Sequence, residues 1–349
     1  MGSDWRYAAP LWLPGGDAQT IISALCGRHL ARSRVLWRRE RWATTDADFI
    51  DADWLGGTPS ASVGPTFAGG QTTLVLFHGL EGSSSSHYAQ TFALEAQQRH
   101  WGFVLPHFRG CSGPINLAPR AYHSGDYEEI SWMLQRVRAQ VGPACTLYAV
   151  GVSLGGNALL RWAQEAGSAA RRTVSAVAAV SAPLDLRAAG DAIDSGRNRW
   201  LYAQLFLRTM KHKARSKAQQ FPGLFDLPRA LAAQTLREFD DAFTAPLHGF
   251  DGVEDYWRRA SSKPALAAIE VPALILNARN DPLVPALSLP EQNEIGEALT
   301  LWQPHTGGHV GFPGQFALRA GRPELQLQTM PQAVCDWLTA KGPSSTLAG

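Results

Sequence analysis

The feature that most constrains this 349-residue chain is a serine bracketed by glycines, Gly151-Val152-Ser153-Leu154-Gly155. An apolar run over 145–150 precedes it, and a helix-like stretch opening Asn157-Ala158-Leu159-Leu160-Arg161-Trp162 follows. That order predicts a strand, a sharp turn and a helix. Such a turn strains the backbone of its central residue, and a Cβ at Gly151 or Gly155 would strike the neighbouring strand or helix. The Ser153 hydroxyl is then held above the edge of a sheet. Five residues of this kind arise by chance often enough that their context has to decide.

The context is a run of alternating strands and helices. A short apolar strand over 72–77 ends in His78-Gly79-Leu80-Glu81-Gly82, and apolar runs of this length suit strands buried on both faces of a parallel sheet. A helix over 87–99, a strand over 102–106 and a helix over 127–140 lead to the strand before Ser153. Further strands follow over 174–180, 271–277 and 298–302, with a closing helix over 328–340. The β-α-β rhythm predicts an α/β fold with a mostly parallel central sheet flanked by helices. Segments 34–42 and 48–55, separated by Thr44-Thr45-Asp46, read as an antiparallel hairpin. Residues 56–70, rich in Gly, Pro and Ser, read as a loop. The Trp- and Pro-rich first 30 residues read as an arm on the core, with Asp17 as N-cap of a short helix.

Between 183 and 261 the strand rhythm stops, and helical segments near 197–219 and 227–243 fill the gap. No Gly/Ser linker flanks them, so they read as a cap inserted over the active face. The expected organisation is an arm over 1–33, a core over 34–183 and 261–341, a helical cap or lid over 184–260 and a tail over 342–349.

The chemistry wanted beside an attacking serine is a base, an acid that orients it, and donors for an oxyanion. Asp281 follows the strand over 271–277 in Arg279-Asn280-Asp281-Pro282, at the carboxyl edge where open α/β sheets place their sites. An aspartate before proline is also a common turn residue. His309 lies in the loop Gly307-Gly308-His309-Val310-Gly311-Phe312, whose glycines permit close approach; His305, four residues earlier, competes with it. The order Ser153, Asp281, His309 is that of an α/β-hydrolase triad. The oxyanion donors are expected from the backbone N–H groups of Leu154 and Leu80, with Gly79 letting the second approach. His78 reads as an organiser of that loop.

Other readings are weaker. Residues 79–86 lack the lysine of a phosphate-cradling loop, and Cys111 has no turn of the Ser153 kind. The four cysteines are scattered and no histidines show zinc spacing, so no metal is expected and the thiols read as free, in a reducing compartment. A net charge of +2 argues against nucleic acid. No apolar run reaches membrane-spanning length and no signal peptide is visible, so cytoplasm is the default expectation. The basic run Arg208, Lys211, Lys213, Arg215 and Lys217 reads as a solvated helix face; contact with lipid head groups, given Trp200, Leu201, Leu205, Phe206 and Met210, is the alternative.

Taken together, the serine pentapeptide, His78-Gly79-Leu80-Glu81-Gly82-Ser83, Phe108-Arg109-Gly110-Cys111-Ser112-Gly113, Tyr122-His123-Ser124-Gly125 and the His309 loop resemble the YheT-like α/β hydrolases. Asp17-Ala18-Gln19-Thr20-Ile21 is similar to a family segment reading H-x-Q-T, from which Asp17 and Ala18 depart. The resemblance spans about residues 16–338. It implies the α/β-hydrolase fold and an esterase-like enzyme without a cofactor, with Ser153 as nucleophile, Asp281 as acid and His309 as base. Relatives of that kind include medium-chain acyl ester synthases and hydrolases and phospholipid-acting enzymes. A pairing of Arg109 with a carboxylate such as Asp126 is expected to brace loops beside the serine.

The expected activity is hydrolysis of a small-molecule acyl ester, short to medium in chain length, through an acyl-enzyme. Activity should fall as pH drops and the imidazole base protonates. Acyl transfer to an alcohol uses the same residues and stays open, as does a catalytically silent binding scaffold.

Overall fold

A computed structural model describes residues 5–31, 35–56, 72–319 and 322–342. Most of the expected loop over 56–70 and the tail over 342–349 lie outside the described residues.

The strands among the described residues are β1 (Trp37–Ala43), β2 (Phe49–Leu55), β3 (Thr72–Phe77), β4 (Gly102–Pro106), β5 (Thr146–Val152), β6 (Ala176–Val180), β7 (Ala273–Leu276), β8 (Leu299–Trp302), β9 (Phe316–Arg319) and β10 (Arg322–Leu325). The first eight make one sheet in the order β1-β2-β4-β3-β5-β6-β7-β8. From β4 to β8 all neighbours are parallel, whereas β1–β2 and β2–β4 are antiparallel. The mostly parallel sheet and the early hairpin therefore form as read. The separate β9–β10 pair was not anticipated.

The alternation of side chains along a strand divides the core into two layers. Val75, Phe77, Leu147 and Ala149 pack on one face. Leu74, Leu76, Tyr148 and Val150 pack on the other. Burial on both faces is why β3 and β5 read as apolar runs without alternation.

Four helices matter for the site: α1 (Gly16–Ala31), α2 (His87–Gln98), α3 (Tyr127–Val141) and α4 (Leu154–Ala166). α1 is longer than expected, and Asp17 lies inside its first turn rather than capping it. α4 follows β5 after a single residue, Ser153.

Between β6 and β7 the chain forms several helices in place of two long ones. Leu186–Ile193 comes first, then a π-helical turn Arg199–Ala203 running into Gln204–Gln220. The second expected helix breaks at Ala233, and Thr235 caps a fresh start by accepting the Glu238 N–H. Val253–Ala260 ends the stretch. No helix among the described residues is long and apolar enough to cross a membrane.

Candidate active site

Ser153 joins β5 to α4 at φ 52°, ψ −121°, a left-handed conformation that non-glycine residues adopt only under constraint. Its N–H donates to the Val180 carbonyl of the neighbouring strand at 2.8 Å. The bracketing glycines are required by space. A Cβ on Gly151 would stand 2.3 Å from the Gly155 carbonyl oxygen, and one on Gly155 would stand 2.5 Å from that of His78. Both are impossible approaches, so the sheet, the turn and α4 are packed backbone to backbone around this serine.

Asp281 and His309 arrive from loops after β7 and β8. His309 Nε2 lies 3.0 Å from Ser153 Oγ, and His309 Nδ1 lies 2.8 Å from Asp281 Oδ2. The other Asp281 oxygen accepts the N–H groups of Leu283 and Val284 at 2.8 and 3.1 Å. Its carboxylate is fully buried, while the imidazole keeps 12% exposure. The competing His305 is exposed to solvent.

The His309 loop is held by four side chains remote in sequence. Gln19 Oε1 accepts the Gly307 N–H at 2.8 Å, and Asn280 Oδ1 accepts that of Gly308 at 3.0 Å. Thr20 Oγ1 accepts the His309 N–H at 2.8 Å, and Ser181 Oγ accepts that of Val310 at 3.0 Å. Asn280 in turn donates to Gln19 Oε1, and Thr20 donates to the Gly16 carbonyl. Four successive backbone donors are thus satisfied by side chains, which fixes the imidazole from behind. Gln19 and Thr20 stood out in the sequence only as part of a motif, with no role attached.

On the opposite side runs the loop after β3. The Gly82 N–H closes a turn onto the Gly79 carbonyl at 2.9 Å. Leu80 holds the second position of that turn, where its N–H takes no part in the closing bond. Leu154 is the first residue of α4, and the first N–H groups of a helix have no intrahelical acceptor. Leu80, Leu154, Ser153 and His309 all line one cavity.

His78 organises this loop. Its Nδ1 donates to the Gly79 carbonyl at 2.8 Å and its Nε2 accepts the Phe108 N–H at 3.0 Å. Those two bonds require the neutral ring, and burial pushes its pKa down to about 3. Tyr122 adds a second brace: its hydroxyl donates to Glu81 Oε1 and accepts the Glu81 N–H.

Two expectations change here. Arg109 does not meet Asp126. Its Nε donates to Glu129 at 2.5 Å and its Nη1 to Asp48 and Asp46 at 2.6 and 2.8 Å. Asp126 is taken by Arg120. The β1–β2 turn, which carries Asp46 and Asp48, folds over the Arg109 loop and supplies the nearer carboxylates. Secondly, the basic run is not one solvated face. Lys213 turns inward to Glu81 at 2.6 Å and Cys111 Sγ at 3.1 Å, and Lys217 donates to the Asn116 and Ala118 carbonyls. Their spacing of four puts both on the inner side of the helix, with Phe206 and Met210. Cys111 lies in the loop after β4, where burial raises its pKa to about 11, which keeps it protonated and poorly nucleophilic, in keeping with its reading as no nucleophile.

The cavity above Ser153 is walled mainly by apolar side chains from between β6 and β7, among them Leu186, Ile193, Phe206, Met210, Phe239 and Phe243. Lys213, Lys217 and Glu81 also line it.

A mostly parallel sheet carrying a strained serine turn at its carboxyl edge, with a carboxylate and an imidazole delivered from the loops after β7 and β8, defines an α/β hydrolase. The family model described as the alpha/beta hydrolase fold matches residues 72–313, and the chain belongs to that family. Within it, the chain is 37% identical to the Escherichia coli protein named "Putative esterase YheT", over 92% of this chain and 89% of that one. It is 27% identical to human Phospholipase ABHD3, over 88% of this chain and 73% of that one. The crystal structure of a membrane phospholipase A superimposes with a TM-score of 0.53 at 15% identity, covering 93% of this chain and 92% of that one, a likeness of fold. The YheT-like resemblance read from the motifs is borne out, and the chain is an esterase-type carboxylic-ester hydrolase.

Proposed function

We propose that Ser153, His309 and Asp281 act as a catalytic triad that hydrolyses short- to medium-chain acyl esters through an acyl-enzyme. The observation that carries this reading is the unbroken chain from Ser153 Oγ through His309 to the buried Asp281, at 3.0 and 2.8 Å, at the floor of an apolar cavity. Ser153 Oγ attacks the acyl carbonyl carbon and passes its proton to His309 Nε2. The oxyanion receives the N–H groups of Leu154 and Leu80. His309 returns the proton to the departing alcohol, and water then repeats the sequence on the acyl-enzyme. Asp281 holds the tautomer with Nδ1–H, leaving Nε2 free to accept.

The apolar walls support an acyl pocket. Each methylene buried there contributes about 0.8 kcal/mol, so kcat/KM for p-nitrophenyl esters is expected to rise roughly fourfold per carbon until the pocket is filled. Equal values from acetyl to decanoyl would contradict the pocket. The helices between β6 and β7 act as its cap. The human relative is named a phospholipase, which supports including glycerophospholipids among the esters assayed. Running the series with and without ethanol, and with Ser153→Ala, separates water from alcohol as the acyl acceptor.

Thr20 is a positioning residue in this scheme. Thr20→Val leaves the part-buried His309 N–H without its acceptor, at a cost of about 1–3 kcal/mol. Roughly a tenfold loss in kcat with little change in KM is expected, and Thr20→Ser should restore the rate by restoring the hydroxyl. Equal rates in Thr20→Val and wild type would show the brace to be dispensable.

A further inference from the structure

The outer face of the segment over 197–215 presents a ridge that no feature of the proposed hydrolysis explains. Trp200, Leu201 and Leu205 are 73%, 46% and 62% exposed. Single exposed apolar residues are ordinary, but these stand on successive turns of one helical segment. The ridge continues onto α1. Tyr202 donates to Asp17 at 2.9 Å and Arg197 lies 3.8 Å from the same carboxylate. Asp17, Ile21 and Leu25 recur every four residues, so one face of α1 carries them, and Ile21 and Leu25 are exposed as well.

Charge follows the same pattern. From 197 to 220 the sequence holds seven Lys and Arg residues and no Asp or Glu. Lys213 and Lys217 point inward, while Arg197, Arg208 and Arg215 stay exposed beside the apolar ridge. Asp17, facing Arg197, is the acidic group in contact with it. An exposed tryptophan and leucines with arginines alongside are the makings of a helix that lies in a membrane interface.

We propose that this ridge docks the protein peripherally on a lipid bilayer bearing anionic head groups. The position serves the cavity behind it. Phe206 and Met210, on the inner side of the same helix, line the space above Ser153, and Asn198 donates to the Pro282 carbonyl next to Asp281. A bilayer against the outer face stands at the rim of the acyl cavity. A second copy of the chain is a poorer occupant, because a two-fold contact would set the same arginines against each other.

Binding is read without turnover, so its outcome is independent of the hydrolytic reading. Co-sedimentation with vesicles of phosphatidylcholine alone and of equimolar phosphatidylcholine and phosphatidylglycerol is compared for three proteins: wild type, Trp200→Ser/Leu201→Ser/Leu205→Ser, and Arg208→Gln/Arg215→Gln. Wild type is expected to partition to the anionic vesicles at least tenfold more strongly than to the neutral ones. The apolar variant should lose roughly tenfold on both, and the arginine variant should lose its preference for the anionic surface. Melting temperature should stay within a few degrees of wild type, and hydrolysis of dissolved p-nitrophenyl butyrate within about twofold, since these side chains lie outside the cavity lining. Unchanged vesicle binding in both variants, or no binding by wild type, overturns the proposal. So does a concentration-dependent dimer, seen by sedimentation velocity, that the apolar variant abolishes, because that assigns the ridge to a second copy.

Discussion

Ser153→Ala is expected to lower kcat for p-nitrophenyl butyrate by roughly five to six orders of magnitude, while the protein melts as wild type does. The size follows from removing the group that forms the covalent bond; in serine hydrolases that act as a unit, losing the nucleophile costs about as much as losing all three members. The unchanged stability follows from geometry. The backbone N–H of residue 153 keeps its bond to Val180, and the Oγ it gives up meets His309. Steady-state rates beside a thermal melt distinguish this outcome from simple misfolding. Comparable rates in the two proteins would exclude a serine mechanism.

Asp281→Asn is expected to reduce kcat by about ten-thousandfold. An asparagine can keep one oxygen on the Leu283 and Val284 N–H groups, where Asp281 Oδ1 sits now. Its amide would then face His309 Nδ1 as a donor. The imidazole answers by moving its proton to Nε2, and a protonated Nε2 cannot accept from Ser153. The loss therefore comes from the tautomer with the loops still in place, and KM should change little. A loss of less than tenfold would mean that Asp281 does not set the state of His309.

What the sequence made legible followed from local rules. β3 and β5 were readable because strands buried on both faces carry uninterrupted apolar runs, and the turn at Ser153 because only glycines fit around it. Asp281 and His309 were readable because both follow predicted strands, and the glycines around His309 separate it from His305. What escaped depends on contacts across the chain. Thr20 meets the His309 N–H across 289 residues, a pairing no spacing rule reveals. The choice of carboxylate by Arg109 was likewise invisible: Asp126 is close in sequence, but the folding of the β1–β2 turn brings Asp46 and Asp48 nearer. The β9–β10 pair hid behind Pro323, which argues against a strand except at an edge. Lys213 and Lys217 shared a run with exposed arginines, and only the phase of the helix against the core divides them.

The proposed hydrolysis passes through a covalent acyl-Ser153 intermediate. The most direct measurement is acid quenching of the enzyme during turnover of p-nitrophenyl octanoate, followed by peptide mapping by mass spectrometry. An octanoyl group on Ser153, present in wild type and accumulating further in His309→Ala only as far as that variant still acylates, is the predicted result. Turnover at full rate with the acyl group on another residue would contradict it.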